Sequence, residues 1–84
     1  MKKNIYLTSH ARVKMDERAI SLEMVEEAIN NPDITLKDKI DDSVSHLIKK
    51  FETKYLRVLL RIGKNGKQII ITVFYDRRIK GVEK

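Results

Sequence analysis

The chain has 84 residues, 42% hydrophobic and 36% charged, with three glycines and one proline, the composition of one small globular domain and not of a disordered segment. A chain of this length buries only roughly 60% of its unfolded surface, which leaves room for a single core and excludes a large cleft between domains. It has no cysteine and a net charge of +6, so disulfides and thiolate zinc sites are excluded, His10 and His46 are the only imidazoles, and neither metal nor cofactor is expected.

Lys2 and Lys3 are followed by no apolar stretch and no small-residue cleavage site, so they do not read as a signal peptide. The expected location is the cytoplasm, which the lack of cysteine suits. After an extended start at Asn4 to Leu7, Thr8-Ser9 offers an N-cap hydroxyl, and a first helix runs to about Arg18. Ala11, Met15 and Ala19 form its apolar stripe, and His10, Lys14 and Arg18 line up beside it. Ser21 caps a second helix, with Ile20 and Val25 placed as a hydrophobic staple. Leu22, Met24, Val25, Ala28 and Ile29 share its inner face; Glu23, Glu26 and Glu27 share the solvated one. Asn30-Asn31-Pro32 ends it, because the residue before proline avoids helical geometry.

From Ile34 the period becomes two. Ile34, Leu36 and Ile40 alternate with polar residues, Asp41-Asp42 make a turn, and Ser43 to Phe51 reads as the next strand. A hairpin closes the chain: Tyr55 to Ile62 and Lys67 to Asp76 flank Asn65-Gly66, a pair favoured in tight primed turns. The register that keeps one face apolar joins Ile62 to Ile69, Leu60 to Ile71, Val58 to Val73 and Leu56 to Tyr75. Arg57, Arg61, Gln68, Thr72 and Asp76 then line the other face or its edge. The apolar run from Ile69 to Tyr75 is far shorter than the about 20 residues a membrane helix needs, so no membrane partner is expected. The expected architecture is a single α+β domain over residues 1–84, with two helices packed on a four-stranded antiparallel meander.

The charge is segregated: residues 1–20 carry +3, residues 21–42 carry −5 and residues 43–84 carry +8. A basic half is the electrostatic footprint of a protein that meets phosphates, although a lysine-rich solvated surface would look the same. Glycine-rich phosphate loops, His-Glu-x-x-His and nucleophile elbows are all missing. Asp38, Asp41 and Asp42 lack the glycine and closing glutamate of a calcium loop. One reaction needs little machinery. RNA carries its own nucleophile in the 2′-hydroxyl, so its cleavage asks for a proton-transfer group, best filled by His10, and for cationic or hydrogen-bonding groups on the phosphate.

Each residue also has a plainer reading. His10 alone is a surface or hydrogen-bonded structural histidine, Lys14 and Arg18 are helix-surface cations, His46 is a satisfied and partly buried histidine, and Arg57 and Thr72 are residues of a wet sheet face.

The stretch H-A-R-V-K-M-D-E-R-A-I (His10 to Ile20), followed by S-L-E-M-V-E-E-A-I-N-N-P, resembles the signature of a small bacterial and archaeal family of unknown function. That family reads Thr-x-His-Ala, Arg-Met-x-x-Arg-Gly-Ile and a capped helix ending in Asn-Pro. Leu56-Arg57-Val58 and Ile71-Thr72-Val73-Phe74 resemble its strand motifs. Such domains are similar to RelE-like and BrnT-like toxins, which cleave RNA without metal. The resemblance implies a metal-independent endoribonuclease, with His10 in proton transfer, Arg18 and Arg57 on the scissile phosphate and Thr72 donating a hydrogen bond. Lys14, Arg61, Arg77 and Arg78 extend the RNA-binding surface. RNA, including ribosome-bound mRNA, and an acidic antitoxin protein are the implied partners. Lys14 stands where the pattern has arginine and loses bidentate geometry; Ala19 stands where it has glycine and implies a different exit from the helix. The alternatives are a non-catalytic RNA-binding or protein-interaction module on the same fold, or a domain with a small-molecule partner.

Overall fold

A computed structural model describes residues 5–77. In chain order the elements are β1 (Ile5–Leu7), α1 (Ser9–Arg18), α2 (Leu22–Asn30), β2 (Ile34–Lys37), β3 (Val44–Phe51), β4 (Lys54–Ile62) and β5 (Gln68–Tyr75). Both helices start as their sequences predict. Thr8 caps α1 by accepting from Ala11 N–H, and Ser21 caps α2 by accepting from Met24 N–H.

The domain is α+β with two helices, but the sheet has five strands and is mixed, in the order β1-β5-β4-β3-β2. The extended start is a fifth strand, pairing parallel to β5 through Ile5↔Gln68, Tyr6↔Ile69 and Leu7↔Ile70. Three residues carry no readable period, and their partner lies some sixty positions away, so the four-stranded antiparallel expectation missed it. β2 also stops earlier than Ile40, which is 94% exposed. The Asp38 carboxylate accepts from the N–H groups of Ile40 and Asp41 and so turns the chain out of the ladder.

Ala11, Ile20, Val25 and Ala28 of the helical layer pack with Leu47, Leu56, Val58, Leu60, Ile70 and Val73 to form the core. α1 lies against β5 and β1, and α2 against β3 and β4. The helices therefore occupy one side of the sheet. On the other side, Leu36, His46, Leu59 and Thr72 form one cross-strand row, and Ile34, Ile48, Arg57 and Phe74 form the next.

The β4–β5 hairpin keeps the expected pairs Leu56↔Tyr75 and Val58↔Val73, but then shifts by one residue, to Leu60↔Ile70, Arg61↔Ile69 and Ile62↔Gln68. Ile71 is the extra residue of a β-bulge. The parity of the strand reverses there. Ile70, not Ile71, enters the core, and Gln68 joins Ile62 on the helical side. The turn itself is the expected one: Asn65 and Gly66 have φ of 63° and 74°, and Lys67 N–H donates to Lys64 O. A second offset follows at once, where Gly63 N–H donates to Lys67 O at 2.7 Å.

Thr8 explains why the bulge is tolerated. Its hydroxyl lies 3.0 Å from Ile70 O and 2.9 Å from Ile71 O, and its N–H also donates to Ile70 O. One residue thus caps α1, extends the β1–β5 pairing through its N–H, and sets its hydroxyl against the carbonyls of Ile70 and Ile71 at the bulge.

Candidate functional site

The side of the sheet without helices carries a continuous polar chain. Arg57 donates from Nε and Nη2 to Asp76 Oδ2 at 2.9 and 2.8 Å. Its Nη1 lies 2.7 Å from His46 Nδ1, and His46 Nε2 lies 2.8 Å from Asp38 Oδ1. A guanidinium can only donate, so Nδ1 must accept, and the ring proton sits on Nε2, directed at Asp38. The side chains of His46 and Arg57 are 17% and 15% exposed, and that of Asp76 is 3% exposed. Alternation on β3 and β4 brings His46 and Arg57 to this side, and Ile48 lies buried beside them.

The Asp38 carboxyl is held below its ordinary value, first by the hydrogen bond with His46 and then by the N–H groups of Asp41 and Ile40. Asp41 is likewise lowered, first by the Ser43 hydroxyl, then by the Ser43 N–H and by nearby Arg61. Both carboxylates cap the β2–β3 loop; Asp38 anchors His46 on β3, and Asp41 anchors Arg61 on β4.

An open recess of about 1010 Å³ lies at the neighbouring end of the sheet, lined by Glu17 and Arg18 from α1, Lys54 from β4, and Phe74, Asp76 and Arg77 at the end of β5. Arg18 and Asp76 thus share one recess, and Asp76 links it to Arg57. Thr72 lies on the same side of the sheet as Arg57, in the adjacent row. His10 is exposed in the first turn of α1, about 12 Å along the helix axis from Arg18, and is not among the recess residues. Lys14 pairs with Glu17 at 3.6 Å, and Arg61 pairs with Asp41 at 3.1 Å. Arg77 is exposed at the rim, and Arg78 lies outside the described residues.

Residues 7–75 match a domain of unknown function, DUF4258. The chain belongs to the DUF4258 family. No curated protein and no solved structure matches it. In this DUF4258 domain the sequence singled out His10, Arg18, Arg57 and Thr72, placed Asp76 with Arg57 on one face or its edge without giving it a role, weighed Asp38 only in a calcium loop it does not form, and read His46 as a satisfied histidine. Satisfied it is, but by a guanidinium and a carboxylate. The available signal was strand parity, which places His46, Arg57 and Asp76 on one side; Asp38 lies past the end of β2, where no periodicity reveals its target. Among the described residues, no group of three or more His, Asp or Glu side chains is placed to hold a metal ion, and no helix is long and apolar enough to cross a membrane.

Proposed function

We propose that this DUF4258 domain binds RNA and cleaves it through the 2′-hydroxyl without a metal, as a toxin-like endoribonuclease of the RelE-like or BrnT-like kind, with an acidic antitoxin as partner. The observation that carries this reading is the His46–Arg57 contact, an oriented neutral imidazole beside a guanidinium on a domain of net charge +6. A phosphate drawing Arg57 away from His46 frees Nδ1 to accept a proton, while Asp38 holds the opposite nitrogen. The 2′-oxygen then forms a bond to phosphorus as its proton passes to the imidazole. The bond to the 5′-oxygen breaks, and that oxygen takes a proton from water. Arg57 and Arg18 neutralise the phosphate, and Thr72 donates a hydrogen bond to it.

One observation favours a binding module instead: both ring nitrogens of His46 and all three guanidinium nitrogens of Arg57 already have partners. RNA cleavage in EDTA, on naked RNA and on translating ribosomes, separates the two. The enzyme yields a 2′,3′-cyclic or 3′-phosphate end, and His46→Ala lowers the rate by about 10² to 10⁴ with RNA affinity retained. Absence of cleavage on both substrates by the wild type, with salt-sensitive RNA binding intact, overturns the enzyme and leaves the module. Absence of RNA binding even at low salt overturns both.

A further inference from the structure

The recess at the end of the sheet combines an aromatic ring with clustered cations, and it is separate from the His46–Asp38 contact. Phe74 and Tyr75 come from opposite sides of the sheet, and both line it. The Lys54 ammonium lies 5.0 Å from the centre of the Tyr75 ring, which holds this cation at the rim. Arg18 and Arg77 complete the set. The two carboxylates present are already answered: Asp76 by Arg57, and Glu17 by Lys14. The recess therefore presents uncompensated positive charge around the half-buried ring of Phe74.

Phosphate binding alone does not require an aromatic wall. Stacking does, because every base has a π-face, and an unpaired nucleotide can lay that face on a ring while cations meet its phosphate. Bases inside a duplex have both faces covered and cannot reach it. We infer that the recess is a subsite for one unpaired nucleotide of RNA, with its base stacked on Phe74 and its phosphate met by Arg18, Lys54 and Arg77. The inference rests on the RNA-binding reading and adds a preference for single strands.

The chain contains no tryptophan, so Phe74→Trp places a single reporter in the recess. Titration with a short single-stranded RNA should quench its emission, whereas the same strand in duplex and inorganic polyphosphate should not. In parallel, fluorescence anisotropy with labelled RNA should show Phe74→Leu losing about tenfold in single-strand affinity while duplex affinity stays within about twofold. The two substitutions stress the fold in opposite ways, by added and by lost volume, and circular dichroism checks that each variant is folded before its titration is read. Single strand and duplex bound equally by the wild type, or a Phe74→Trp variant that binds RNA by anisotropy without any quenching of its emission, overturns the subsite and leaves general RNA binding standing. Absence of RNA binding in every titration overturns the subsite together with the proposed function.

Discussion

Ala19 leaves α1 with φ 55° and ψ 43°. In this left-handed region a β-carbon crowds the following carbonyl and costs about 1–2 kcal/mol. Ile20 N–H donates back to Met15 O at 2.9 Å, and Ala19 N–H reaches Asp16 O at 3.5 Å, the paired bonds of a Schellman exit. Ile20 is then buried against the core. Alanine at residue 19 therefore keeps this exit from the helix and places the cost in the backbone. Ala19→Gly should stabilise the domain by about 0.5–1 kcal/mol once the greater freedom of glycine in the unfolded chain is subtracted. The midpoint of thermal unfolding should rise by roughly 2–8 °C; an unchanged or lower midpoint would show that residue 19 does not hold this conformation in solution.

At the scale of elements, the junction of β1, α1 and the β5 bulge turns on Thr8. Thr8→Ala removes the cap of α1, which alone costs about 1–2 kcal/mol, and leaves the carbonyls of Ile70 and Ile71 without their hydroxyl donor. Thr8→Ser keeps the donor and the acceptor. Urea denaturation should therefore show a clear loss of stability for the alanine variant and a much smaller one for serine; equal losses would mean that the methyl group, not the hydroxyl, holds the junction. The helices were legible because caps, staple and stop are local signals, and Ser21 and Pro32 bracket α2 without help from the rest of the chain. The far half of the last hairpin was legible for the same reason: from Leu56 to Leu59 the alternation of the two strands agrees. The bulge was not, since the pairing of Leu60 with Ile71 or with Ile70 looks equally apolar, and the choice is made by a threonine some sixty residues away. The polar chain was legible in large part, with His46, Arg57 and Asp76 set by parity and Asp38 set by a loop whose course no periodicity reports.

For the molecule as a whole, the lowered carboxyls of Asp38 and Asp41 tie stability to pH. Their folded values lie below the ordinary 3.8, so the stabilisation is complete above that value and is lost as pH falls through the folded values. Acid titration followed by circular dichroism should show unfolding setting in below about pH 4, and Asp38→Asn should flatten that limb while lowering stability at neutral pH. An acid limb identical in the variant would mean that the link from Asp38 to His46 does not form in solution.

The parallel pairing of β1 with β5 has a consequence for synthesis. Both the first strand and the helix after it are covered by the last strand of the domain, so each lacks its main packing surface until that strand has been made. At about 5–20 residues per second, the roughly sixty residues between Leu7 and Gln68 keep Ala11 and Met15 waiting for about 3–12 s. The nascent chain can assemble β2, β3 and β4 during that interval, but Arg18 and Asp76 cannot meet until the ribosome has passed the end of β5. Premature termination anywhere before that point yields fragments in which the recess has never existed.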